Sequence, residues 1–147
     1  MNCVFCKIIK GDLPSYTLKE SDLFIAILDV SPATKGHTLV IPKRHTPDVY
    51  GLNQQEAAAL MPFVQELAND INATLKPKAL NILQNNGTAA GQVIMHYHMH
   101  VVPRYEGDGV NFTQPTTLPD LEELERIHRS FLMQGGEASH ISDIDGF

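Results

Sequence analysis

The run MHYHMHVVPR (95–104) places His96, His98 and His100 at alternate positions among apolar neighbours. Near neutral pH an imidazole can ligate a metal, carry a proton or attack an electrophile. In an extended strand alternate side chains share a face. The three rings would then line one surface while Tyr97, Met99 and Val101 line the other. At about 3.3 Å per residue the outer rings would stand about 13 Å apart. Two neighbouring rings can chelate one ion, whereas all three reach a single ion poorly. A metal-binding H-x-H of the zinc-hydrolase or cupin kind is a rival to catalysis. A cupin should consist of many short strands, and the long helical pattern after residue 53 disfavours it.

Two further stretches carry chemistry. NNGTAAGQ (85–92) sets the amides of Asn85 and Gln92 around small residues that let backbone approach a ligand. Beside imidazoles, such a loop suits an oxyanion or a phosphoryl group. Cys3 and Cys6 form a C-x-x-C pair. A redox motif of that kind follows a strand, and none precedes it here. Two reduced thiols or half of a metal site remain.

These residues need a frame. CKIIKG reads as a short helix ending at Gly11, and 15–21, 23–30 and 37–43 read as strands. Asn53 and Glu56 resemble a capping box, with Leu52 preceding it. Leu60, Val64, Leu67 and Ile71 then recur at helical spacing, and Pro77 ends the helix. Residues 79–85 and the histidine run supply two more strands. A second helix is expected from about Pro119 to Met133, followed by a polar, acidic tail. The fold class is α+β: about five antiparallel strands, one long and one C-terminal helix, with the helices packed on one side.

The chain has 147 residues, 43% hydrophobic and 19% charged, which fits one globular domain with a real core. Residues 109–147 form a C-terminal extension of that domain. A net charge of −6 argues against nucleic acid as a partner. No stretch approaches the roughly 18 apolar residues of a membrane span, and the N-terminus lacks the pattern of a signal peptide. A soluble cytoplasmic protein is the simplest expectation.

HYHMHVV, LDVSPATKGHTLVIPKRH (28–45), NNGTAAGQ and the Pro103-Arg104 pair resemble, in the same order, the motifs of the histidine triad family of nucleotide hydrolases and transferases. The resemblance covers about residues 3–108. It implies hydrolysis at the α-phosphorus of purine nucleoside phosphoramidates, adenylylated amines or dinucleoside polyphosphates through a covalent nucleotidyl-histidine, releasing AMP or GMP. On that reading His98 is the nucleophile, and its other ring nitrogen keeps a proton on a backbone carbonyl. His100 and Gln92 hold phosphoryl oxygens or assist the leaving group, His37 orients the site, Asn85 contacts phosphate, and Asp29 takes the ribose hydroxyls. Phe5, Ile8, Leu13 and Val30 would flank the purine, though each could equally be core.

The resemblance further implies a structural zinc on Cys3, Cys6, His45 and His96, no catalytic metal, and a homodimer. Nucleotide transfer to a second phosphate is disfavoured, because the uridylyltransferase branch carries H-P-H and a glutamine where this chain has Tyr97 and His100. One departure stands out. Val93 occupies a position often held by a hydroxyl residue, which implies a changed leaving-group preference. A nucleotide-binding regulatory or scaffold protein with incidental turnover, and a metal-dependent hydrolase, are the alternatives. His128 and His140 receive no role.

Overall fold

The computed structural model describes residues 2–114, 117–118 and 120–135, which fall into two compact units, Met1–Val110 and Asn111–Phe147. In the first unit the elements are α1 (Val4–Lys10), β1 (Thr17–Glu20), β2 (Phe24–Leu28), β3 (Thr38–Pro42), α2 (Gln54–Leu75), β4 (Ala79–Gln84) and β5 (Met99–Arg104). The five strands form one antiparallel sheet in the order β1-β2-β3-β5-β4. The second unit contributes α3 (Leu121–Gly135), on which His128 is exposed. Pro119, where that helix was expected to begin, and His140 in the tail lie outside the described residues.

Every position of β3 and all but the last of β2 are buried. Strands apolar at successive positions must be covered on both faces, because adjacent side chains point opposite ways. Phe24, Ala26, Val40, Met99 and Val101 pack with Leu60, Phe63, Val64, Leu67 and Ile71 of α2. Ile25, Ile27, Leu39 and Ile41 pack instead with Cys3, Phe5 and, partly buried, Ile8 and Ile9 of the α1 segment. The expectation of helices on one side is therefore corrected. The long helix covers one face and the short N-terminal helix the other.

α2 begins as its sequence predicts. Asn53 Oδ1 accepts the Glu56 N–H at 2.8 Å, and Glu56 Oε1 accepts the Asn53 N–H at 3.0 Å. The helix ends with Lys76 in the left-handed region, φ 49°, just before Pro77. Pro62 lies inside the helix, where it donates no backbone hydrogen bond; that turn is exposed, so water can serve the freed carbonyl. Gly36 precedes β3 at φ 87°, a conformation that favours glycine, and a Cβ there would also displace Leu75 Cδ1.

The histidine run is corrected too. The strand begins at Met99, so only His100 lies within it. Tyr97 leaves the ladder because its N–H donates to the Thr46 carbonyl at 2.7 Å. The alternation survives that departure: Tyr97, Met99 and Val101 enter the α2-side core, while His96 and His98 contact Phe5 on the α1 side.

Candidate functional site

Register brings His37 to the same face. Leu39 pairs with His100 across β3 and β5, and His37, two residues before Leu39, points the same way. His37 Nε2 lies 2.9 Å from His100 Nδ1, and the His98 and His100 ring centroids are 5.0 Å apart.

Backbone groups fix the proton positions in this cluster. The Ala33 N–H donates to His37 Nδ1 at 3.0 Å, so that nitrogen is an acceptor and the proton sits on Nε2. His37 Nε2–H then donates to His100 Nδ1, which leaves His100 with its own proton on Nε2. Separately, His98 Nδ1 lies 2.8 Å from the His96 carbonyl oxygen. A carbonyl only accepts, so His98 carries its proton on Nδ1 and presents a bare lone pair at Nε2. Two neighbouring rings thus offer opposite functions, an electron pair at His98 and an N–H at His100.

Burial disfavours the charged forms of His37 and His100. It lowers the pKa of His37, with the Asp29 carboxylate opposing the shift. Burial, followed by the neighbouring His98 and His37, lowers His100 to about 4. Asp29 Oδ1 accepts the Ser31 N–H at 2.8 Å, the turn-capping role available to any such residue, while Oδ2 stands 3.6 Å from His37 Nε2. Asp29 is therefore at the histidine cluster with one oxygen lightly engaged.

The remaining predicted residues fall into two groups. Gln92 is only 3% exposed, and its amide is spent on backbone: Oε1 accepts the Gly87 N–H at 2.8 Å, and Nε2 donates to the Pro47 and Ile94 carbonyls at 2.6 and 3.0 Å. It braces the 85–92 loop from within. Asn85 lies in that loop, half-buried, with its amide nitrogen facing Gly91. Phe5 is a core residue whose ring meets His98 edge-on at 5.2 Å, whereas Ile8 is partly buried, Leu13 exposed, and Val30 82% exposed. Val93 is 86% exposed and offers solvent no side-chain donor.

A second cluster adjoins the first. Cys3 Sγ and Cys6 Sγ lie 3.4 and 3.6 Å from His96 Nδ1, Cys6 Sγ lies 3.3 Å from His45 Nδ1, and the two Nδ1 atoms are 3.1 Å apart. A tetrahedral zinc with bonds of about 2.05 Å to nitrogen and about 2.3 Å to sulfur holds its nitrogens about 3.3 Å apart and nitrogen from sulfur about 3.6 Å apart. The observed spacings match that polyhedron within a few tenths of an ångström. His96 Nε2 donates to the Pro42 carbonyl at 2.8 Å, so His96 Nδ1 is a free lone pair aimed at the thiols. Burial and the adjacent Cys3 push the Cys6 thiol up, a cost that a cation at this point would reverse. The donor set fits a divalent metal.

Of the backbone partners, the resemblance implied only a carbonyl at the second nitrogen of His98, without naming the residue that supplies it. The Ala33 N–H and the Pro42 and His96 carbonyls set three tautomers, yet any residue could supply the carbonyls and any but proline the N–H. The ion pair of half-exposed Arg44 with buried Glu56 was also missed, since Glu56 read only as a cap. No helix among the described residues is long and apolar enough to cross a membrane.

Comparison with known proteins accords with this arrangement. The "Protein hit" of Bacillus subtilis is 46% identical over 132 residues, covering 88% of this chain and 91% of that one. The adenosine 5'-monophosphoramidase hnt1 of Schizosaccharomyces pombe is 42% identical over 104 residues, 71% of this chain and 75% of that one. A solved zinc-bound histidine triad family protein from Mycobacterium smegmatis superposes with a TM-score of 0.71 at 41% identity, covering 91% of this chain and 95% of that one. The HIT domain model matches residues 10–107, from the end of α1 past β5, and the chain belongs to that family.

Proposed function

We propose that this protein is a nucleotide hydrolase cleaving at the α-phosphorus of purine nucleoside phosphoramidates or related adenylylated compounds, with His98 as the nucleophile. The observation that carries the reading is the bare His98 Nε2 beside the N–H of His100, each held in its tautomer by hydrogen bonds. Relatives named as adenosine 5'-monophosphoramidases support nucleotide hydrolysis.

The chemistry follows from the protons. His98 Nε2 gives its electron pair to phosphorus as the bond to the leaving nitrogen breaks; that nitrogen keeps the bonding pair and takes a proton from solvent. The nucleotidyl-His98 is cationic, and the His96 carbonyl at Nδ1–H stabilises it. His100 Nε2–H donates to a phosphoryl oxygen, where charge grows in the transition state. A neutral His100 suits that role beside a cationic His98. Water then attacks phosphorus and gives up a proton to solvent, the bond to Nε2 breaks with its pair returning to the ring, and AMP leaves. His37 keeps His100 Nδ1 occupied, Asp29 Oδ2 accepts from the ribose hydroxyls, and Asn85 faces the phosphate. Gln92 acts by bracing the loop. Ile8, Leu13 and Val30 flank the base, with Phe5 as the wall behind His98.

Cys3, Cys6, His45 and His96 would hold zinc as a structural ion, tying α1 to the sheet. β4 is an edge strand with Ile82 43% exposed, which supports a homodimer joined along that edge.

Intact-mass analysis of protein quenched in cold denaturant without acid, during turnover of an adenosine phosphoramidate, tests the mechanism. An added AMP mass on wild type and none on His98→Ala is expected. Full turnover by His98→Ala would assign the nucleophile elsewhere. Bound nucleotide with neither adduct nor product would make the protein a binder.

A further inference from the structure

The segment between β3 and α2 touches both clusters. It carries His45 into the thiol cluster, and the Thr46 carbonyl accepts the Tyr97 N–H at 2.7 Å, between His96 and His98. The Pro47 carbonyl accepts from Gln92 Nε2 at 2.6 Å, and the Val49 N–H donates to Asn86 Oδ1 at 2.7 Å, so two consecutive stretches hold the 85–92 loop. One short segment thereby sets the position of the metal-type donor, the backbone beside the nucleophile and the loop facing the phosphate.

What fixes that segment is Arg44. Its Nη2 donates to Glu56 Oε1 at 2.6 Å and to the Gly51 carbonyl at 2.6 Å, and its Nε lies 3.2 and 3.3 Å from the two Glu56 oxygens. Glu56 is 1% exposed and is already bonded to the Asn53 N–H in the first turn of α2. The guanidinium therefore spans both ends of the segment and pins them to the helix. Gly51 leaves no slack in the bend, since a Cβ there would collide with Thr46 Oγ1.

We infer that Arg44 and Glu56 are positioning residues for the reaction at His98, acting through the 45–51 segment on the Tyr97 backbone and the 85–92 loop. This rests on the proposed hydrolysis. The pair touches no substrate. Its effect is on the alignment of groups that meet charge in the transition state, while the ribose and base contacts at Asp29 and Val30 lie on other segments.

Glu56→Gln separates the two roles of Glu56, because glutamine still accepts the Asn53 N–H of the capping box but forms no ion pair with Arg44. Arg44→Lys keeps the charge and loses the fork. AMP titration calorimetry gives the binding-competent fraction, and turnover is expressed per competent chain. Both variants should bind AMP at wild-type stoichiometry, keep KM within about threefold and lose about tenfold to a hundredfold in kcat. Wild-type kcat per competent chain in Glu56→Gln, or a loss wholly explained by fewer competent chains, would overturn the inference. If wild type itself shows no turnover, the proposed function fails while the coupling remains readable. Amide hydrogen exchange at Val49, Gly87 and Tyr97 should then be faster in Glu56→Gln, and unchanged exchange would overturn the coupling as well.

Discussion

His96 belongs to two clusters at once: its Nδ1 lies 3.4 Å from Cys3 Sγ, and its carbonyl oxygen accepts the Nδ1 hydrogen of His98 at 2.8 Å. Ordering of the ring by a metal would therefore order the acceptor that sets the tautomer of His98, the proposed nucleophile.

A metal in this cluster should be countable. Native mass spectrometry should record one zinc ion per chain in wild type and none in a Cys3→Ser, Cys6→Ser double variant, whose Tm should be lower. Metal binding to the folded state alone is folding free energy, so a chelator should lower the wild-type Tm in the same direction. Zinc retained in full by the double variant would move the ligands elsewhere.

Removing His37 should act through His100. Without the His37 Nε2–H at 2.9 Å, nothing confines the His100 proton to Nε2. His37→Phe should therefore lose about a hundredfold to a thousandfold in kcat, the usual cost of one misplaced oxyanion donor. A tenfold smaller effect would show that His100 is oriented by something else.

Gln92→Ala should be a stability variant first. Three hydrogen bonds to backbone disappear, leaving the Pro47 and Ile94 carbonyls and the Gly87 N–H to find water or go unpaired. A loss of about 1–3 kcal/mol is expected by urea denaturation. If stability is untouched while kcat falls, the amide is serving substrate instead of the loop.

These three cases show what the sequence could carry. Parity placed His96, His98 and His100 on one face because strand alternation is local, whereas His37 reached that face through a strand pairing that only the resemblance implied, and the Asn53–Glu56 cap read directly because its partners are three residues apart. The covering of both sheet faces was misjudged because α1 is only seven residues long, and nothing in a short helix states which face it covers. Gln92 spends its amide on backbone groups, among them the Pro47 carbonyl 45 residues away, and Arg44 meets the Glu56 side chain and the Gly51 carbonyl only because the 45–51 segment folds back; backbone partners have no residue type to recognise.

Acid should destabilise the first unit before its carboxylates titrate. His100 has a folded pKa of about 4 against 6.5 for the ordinary imidazole, and burial shifts His37 the same way. The folded chain thus binds fewer protons than the unfolded one, so stability falls as pH drops from about 6.5 toward 4 and is unaffected by these groups above that range. Urea midpoints at pH 7, 6 and 5 should decline in wild type and decline less in His100→Phe. Parallel declines would assign the slope to other groups.

Val93→Ser should change the choice of leaving group. The wild-type side chain is 86% exposed and cannot donate, so on the proposed mechanism departing amines would take their proton from solvent. A hydroxyl there should raise turnover most for amines of high pKa, flattening the dependence of rate on leaving-group pKa. An unchanged slope across a series of amines would remove Val93 as a determinant.

Successive residues of β2 and β3 face two different interiors. Phe24, Ala26 and Val40 meet α2, while Ile25, Ile27, Leu39 and Ile41 back onto the α1 side that holds the imidazoles. For directed evolution the sheet is a partition between two libraries. Diversity on the α2 side should spread thermal tolerance at nearly constant selectivity, whereas diversity one residue along the same strands should reshape selectivity itself.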